Sequence, residues 1–293
     1  MHIVLGGTGH VGSAAAKTLL GEGEPVTVVT RDRSKSADWL GQGAEVAVAD
    51  VRDREALRRV LLKGERLFLL NPPADPSTDT DVEERATVAA IVDAVHGSGL
   101  EKIVAESTYG AQPGERCGDL SILYELERKL HDQPIPASII RAAYYMSNWD
   151  SALQTAEQDG VVHSLLPADF KLPMVAPQDL GRAAARLMME PVEQTGIHYV
   201  EGPSRYCAAD VAAAFSEELK RDVKVVTAPR ETWEETFEAM GFSKPAAQSY
   251  ARMTAVSVDE GYEMPGNPER GTMSLQQYIS ELVQHGRKGQ QVH

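Results

Sequence analysis

Seven residues near the start of the chain, Gly6-Gly7-Thr8-Gly9-His10-Val11-Gly12, have the composition and spacing to hold a pyrophosphate. Gly6 permits a tight turn, Gly9 lets the backbone approach a phosphate with no side chain between, and Gly12 lets a helix pack close to a sheet. Free N–H groups at the helix start then face the phosphates, aided by the positive end of the helix dipole. A glycine turn that binds nothing is the bland alternative. The motif gains specificity because it follows an apolar strand pattern directly and opens a helical one.

The second strand separates the two common dinucleotides. An NAD site places Asp or Glu about 20 residues after the glycines to bind the ribose hydroxyls. Here Thr30-Arg31 occupies that point, with Arg33, Ser34 and Lys35 close behind. Arg31 can pair with a 2′-phosphate through a planar, two-pronged donor, so NADP(H) is expected over NAD(H). Read alone, residues 31–35 also fit a solvated basic turn. Asp50-Val51, after the third strand, suits a place beside the adenine, and Asp50 equally suits a helix cap.

The elements that must position these residues alternate. Apolar runs at 2–5, 25–30, 45–49, 66–70, 102–106 and 138–141 read as strands, near-continuous as in a sheet covered on both faces. Helical spacing appears at 11–20, 54–62, 81–96 and 123–131. This order predicts an α/β fold, a Rossmann-type doubly wound parallel sheet, with a smaller, mainly helical C-terminal substrate region. We place the nucleotide-binding domain at 1–150, rejoined by about 176–203, and the ligand-covering region at 151–293. Further helices are predicted at 178–189, 208–219, 230–240, 245–253 and 274–284, one more strand at 198–201, and a frayed polar tail at 286–293.

Composition limits the partners. The 293 residues are 42% hydrophobic and 25% charged, an ordinary globular balance. Against 43 acidic side chains stand 29 basic ones, a formal charge of −14 that repels a nucleic-acid backbone. Cys117 and Cys207 stand far apart and form no C-x-x-C pair, so neither a disulfide framework nor a zinc site is expected. With a strand from His2 and no apolar run of about 18 residues, a cytoplasmic protein without membrane insertion is expected.

With these motifs in hand, the chain resembles an NmrA-like member of the atypical short-chain dehydrogenase/reductase group over nearly its whole length. The resemblance rests on the glycine loop, Arg31, Asp50-Val51-Arg52-Asp53, Ser107-Thr108-Tyr109-Gly110, and Ile139-Ile140-Arg141 through Tyr144, Tyr145 and Asn148. Asp179-Leu180-Gly181 and Tyr199-Val200-Glu201-Gly202-Pro203 extend it. It implies that Thr8, His10 and Val11 touch the phosphates, that Asn71-Pro72 lines the cofactor, and that Ser107-Thr108-Tyr109 lies near the nicotinamide. It also implies a substrate cleft lined by Tyr145, Asn148, Trp149 and Phe170, although aromatics at such a joint serve packing equally well.

Ordinary short-chain dehydrogenases carry Tyr-x-x-x-Lys on the helix after the fifth strand, where the lysine lowers the tyrosine pKa. This chain offers Tyr124 and Arg128 instead, and Arg and Lys differ in geometry. Many NmrA-like proteins place Lys or His about four residues before the glutamate matching Glu127, where this chain has Leu123. Tyr124, Tyr109 and Ser107 are therefore the candidate catalytic residues, with Tyr124 also readable as a half-buried helix residue. The expected function is NADPH-dependent reduction of a small conjugated or aromatic, quinone-like acceptor, which needs less protonation than a ketone. Two alternatives stay open: a non-catalytic NADP(H)-sensing regulator with a protein partner or a homodimer, and an isomerase or lyase that retains the nucleotide.

Overall fold

The computed structural model describes residues 1–261 and 263–290, with side chains through Gly286. The first half runs β1 (His2–Val4), α1 (His10–Gly21), β2 (Val26–Thr30), α2 (Ser36–Gly41), β3 (Glu45–Val48), α3 (Arg54–Leu61), β4 (Arg66–Leu69), α4 (Thr80–Val95), β5 (Lys102–Thr108), α5 (Asp119–His131) and β6 (Ala137–Ala142). The second half adds β7 (Tyr144–Tyr145), α6 (Ala152–Gln158), β8 (Val161–Ser164), β9 (Leu172–Val175), α7 (Pro177–Met189), β10 (Gly196–Glu201) and β11 (Arg205–Tyr206). It closes with α8 (Ala208–Leu219), β12 (Lys224–Thr227), α9 (Trp233–Ala239), α10 (Lys244–Asp259), β13 (Glu269–Arg270) and α11 (Leu275–Gln290).

Eight strands form one parallel sheet in the order β13-β10-β6-β5-β4-β1-β2-β3, so the Rossmann-type fold read from the sequence is the fold observed. Its strand order reverses between β1 and β4, and ligands bind outside the carboxyl ends of strands at such a point. Alternate residues of each strand face opposite layers. Val4, Val28, Phe68, Val104 and Ile140 pack under α1 and α7, whereas Ile3, Leu5, Leu67, Ile103 and Ile139 pack under α3, α4 and α5.

Local chemistry sets the helix starts. Asp53 caps α3 by accepting from the Ala56 amide at 2.9 Å, and Asp79 and Ser243 cap α4 and α10 in the same way. Helix α7 begins at Pro177, where a missing N–H costs nothing. Gly181 lets α7 approach α1 closely, because a Cβ there would strike the Ala14 backbone. Lys102, fully buried, donates to the Pro191 carbonyl at 3.1 Å and Arg66 to the Glu190 carbonyl at 2.9 Å, fixing the chain just past the C-terminal end of α7.

Several boundaries differ from the sequence reading. Helix α5 starts at Asp119, four residues before the apolar spacing does, at the positive-φ Gly118. The basic turn is a single 3-10 turn, Arg33–Lys35, leading into α2. The helix expected at 230–240 splits into a 3-10 turn at Arg230–Thr232 and α9. The second region is not helical alone: β7, β9 and β11 make one small sheet, and β8 and β12 another. These strands are too short to show a period. Its core joins Met146, Trp149, Val162, Met174 and Phe215 to α8 and α11, and a satellite of Trp233, Phe237 and Ala247 holds α9 on α10. Of the tail, α11 continues to Gln290, and 291–293 lie outside the described residues.

Candidate active site

The glycine loop lies at the carboxyl end of β1, beside the switch point. Gly6 has φ +64°, the left-handed turn its neighbours need. A Cβ on Gly6 would press on Leu70, one on Gly7 on Val28, and one on Gly12 on the Gly6 carbonyl, so packing alone requires these three. Gly9 is different. A Cβ there would meet nothing nearer than the Gly6 carbonyl oxygen, at 3.4 Å. Thr8, Gly9 and His10 are exposed and Val11 is buried against the sheet. His10 Nε2 stands 3.8 Å from Asp150, whose other carboxylate oxygen accepts from Tyr278 on α11 at 2.7 Å.

At the end of β2, Arg31, Arg33, Ser34 and Lys35 are all exposed, and among the described residues no carboxylate is ion-paired with Arg31 or Arg33. Asp32 is turned onto its own loop, accepting from the Ser34 amide at 2.8 Å and hydroxyl at 2.6 Å. Those bonds hold its carboxyl below the usual range, leaving Ser34 directed at Asp32. Asp50 is not a helix cap. It accepts from the Arg52 amide at 2.9 Å, and Asp53 caps α3 instead. Val51 is buried. After β4, Asn71 is buried and its Oδ1 has no protein partner, with Pro72 beside it half-buried. A buried amide oxygen with no partner, next to a glycine loop with one open face, fits a dinucleotide.

The carboxyl end of β5 divides by face. Ser107 donates to Glu127 Oε1 at 2.5 Å, and Glu127 is forked to Arg141 at 2.8 and 3.0 Å. Arg141 in turn donates to the Tyr199 hydroxyl at 2.9 Å. The Ser107 hydroxyl is thus committed to a buried network on the α5 side. Thr108, half-buried, donates to the Tyr109 carbonyl at 3.1 Å. Tyr109 is buried, its ring edge-on to Tyr199 at 5.1 Å, and burial pushes its phenol well above the usual range. Tyr124 is half-buried and Arg128 exposed, and no hydrogen bond joins them. Leu123 packs on the core under α5.

On the opposite face of β5, Glu106 is only 2% exposed. Its Oε1 accepts from the Tyr145 hydroxyl at 2.5 Å while Oε2 has no partner, and desolvation raises its pKa to about 7. Asp119, at the start of α5, is raised by burial and by Asp81, and Glu84 is raised to about 8 by burial and by Asp119. Tyr144, Tyr145 and Asp119 are half-exposed, yet desolvation dominates the shift of each. Asn148 is exposed and bonds to the Tyr144 phenol. Trp149, at 5% exposure, belongs to the core of the second region, and Phe170 packs against that core, so for these two aromatics packing is the observed role.

Sequence reasoning missed Glu106. The signal was present, since a carboxylate interrupts the apolar run at 102–106 that a strand covered on both faces should continue.

A family model described as NmrA-like matches residues 2–282. Among curated relatives, an NAD(P)H azoreductase of Xenophilus azovorans is 23% identical over 88% of this chain and 87% of its own. A nitrogen metabolite regulation-like protein of Gibberella fujikuroi is 24% identical over 91% of this chain and 90% of its own. Among solved structures, an NADPH-dependent quinone oxidoreductase of Escherichia coli complexed with NADPH superposes with a TM-score of 0.79 at 21% identity, covering 97% of this chain and all of that one.

Proposed function

The chain belongs to the NmrA-like family, and from that membership we propose that it is an NADPH-dependent reductase of a small conjugated or aromatic acceptor of the quinone kind. The observation that carries this reading is the glycine loop, in which Gly9, alone of four glycines, is not required by packing. Reduced NADP, when bound there, supplies a hydride. Arg31, free of any carboxylate, takes the 2′-phosphate, and Asn71 Oδ1 gains a donor it lacks within the protein. Thr8, His10, Val11 and Val51 line the nucleotide, while Tyr144 and Tyr145 shield the reacting end from water.

The acceptor class follows from the acid chemistry. With Tyr124 and Arg128 unjoined and Leu123 in the core, the short-chain proton donor is missing, and a conjugated acceptor tolerates that better than a ketone does. Azo compounds and quinones, the acceptors named for a relative and a structural neighbour, are conjugated. Purified protein should oxidise NADPH with quinones and scarcely with aliphatic ketones, and Tyr124→Phe should change quinone turnover only modestly. Strong ketone reduction abolished by Tyr124→Phe would overturn the reading.

Leu123 also favours a second reading, an NADP(H)-sensing regulator like the Gibberella relative's namesake. Tight NADPH binding with no turnover over a broad acceptor panel, together with a nucleotide-dependent protein partner, would select it.

A further inference from the structure

Resting on the reductase reading, we propose that Tyr145 is the proton donor to the acceptor and that Glu106, behind it on β5, is the reservoir that refills it. Three observations place them there. The 2.5 Å bond between the Tyr145 hydroxyl and Glu106 Oε1 is already made, Tyr145 is half-buried at the carboxyl end of the sheet, and Glu106 lies 98% buried behind it with Oε2 unpartnered. Two other candidates are engaged elsewhere, Ser107 with Glu127 and Tyr109 under Tyr199, and Tyr124 makes no hydrogen bond to Arg128.

No cation compensates Glu106 among the described residues. Arg141, on the neighbouring strand, is forked to Glu127 on the far face, and Asp179 of α7 is held by the amides of Thr272 and Met273. Asp119 faces Tyr145 from α5, and its negative charge also disfavours the phenolate. A carboxyl so placed keeps its proton to about pH 7, and the phenol it refills, held well above its usual range, is an acid weak enough to serve a conjugated acceptor and not a ketone.

In the step, the Tyr145 O–H bond breaks as an O–H bond forms on the acceptor, whose carbon takes a hydride, and with it both electrons, from the reduced nicotinamide. As the Tyr145 hydroxyl turns from Glu106 to the acceptor, the Glu106 carboxyl O–H becomes the donor in the same 2.5 Å contact and passes its proton to the phenolate oxygen. Solvent returns a proton to the pair through the exposed side of Tyr145. Tyr145 is the catalytic group. Glu106 acts through it and is a positioning residue.

Infrared spectroscopy of the nucleotide-free protein tests the reservoir without turnover. Wild type should show a protonated buried carboxyl that titrates near pH 7 and is missing in Glu106→Gln. In quinone turnover, Glu106→Gln should lower kcat by about 10²-fold and remove the decline above pH 7 seen in wild type, with NADPH affinity unchanged and Glu106→Asp restoring part of the rate. Tyr145→Phe, which keeps the ring, should match it and carries the test if Glu106→Gln does not fold. Wild-type kcat and pH profile in either variant, or no such infrared band, would overturn the relay alone. Absence of wild-type turnover with any acceptor would instead remove the reductase reading and the relay together.

Discussion

At the glycine loop the chain presents exposed backbone, whereas at the ends of β5 and β6 it presents ionisable side chains, and the two ends respond to change by different physics. Around Gly6 to Gly12 the shape is set by hard contacts that admit no adjustment. Around Glu106 and Tyr145 it is set by a desolvated proton, which pH can add or remove without moving an atom far. Backbone ends fail by collapse, and side-chain ends by titration.

The sharpest way to break that contrast is inside the loop. Gly12→Val should abolish folding, because even a Cβ there would overlap the Gly6 carbonyl. Gly9→Val should leave circular dichroism near wild type while NADPH binding in calorimetry disappears, since its side chain fills space the protein itself does not use. Normal nucleotide binding by Gly9→Val would show the phosphate site to be elsewhere.

The titrating end predicts a smaller effect. Folded Glu106 keeps its proton to about pH 7, while an unfolded glutamate releases it near 4.5, so the unfolded state binds fewer protons between those values. The stabilising contribution of the protonated form is therefore full below pH 4.5 and falls as pH rises toward 7, by about 3 kcal/mol in all. Urea unfolding across this window should show that slope in wild type and a shallower one in Glu106→Gln. Equal slopes would mean that Glu106 is ionised in the fold.

The smallest effect is expected at Arg31, which is exposed. Arg31→Ala should weaken NADPH by about 1.5–3 kcal/mol, the worth of a charge-assisted bond, and leave NADH unchanged. Equal loss for both nucleotides would remove Arg31 from the 2′-phosphate.

Legibility followed the same division. Gly6 and Gly12 could be read because the turn and the helix start they shape lie within a few residues of them, and the six strands of the first half because both faces are covered. Ser107 could not be assigned, since its partner Glu127 is 20 residues on and on another element. Nor could the place of Trp149, whose core draws on α8 and α11, more than 50 residues downstream. The β8–β12 pair escaped because strands of 4 residues, 60 apart, have no local signature.

The contact between α7 and α1 bears on how the molecule is made. Leu180, Ala183, Ala184, Leu187 and Met188 supply much of the core beneath α1, yet they follow the first six strands in the chain, and Gly181 lets them seat only at backbone distance. During synthesis at roughly 5–20 residues per second, the part of that sheet face that α1 leaves open waits on the order of a few seconds between β6 and α7. The first half is therefore completed late in the chain, and a truncation before Pro177 should yield aggregate rather than a smaller folded domain.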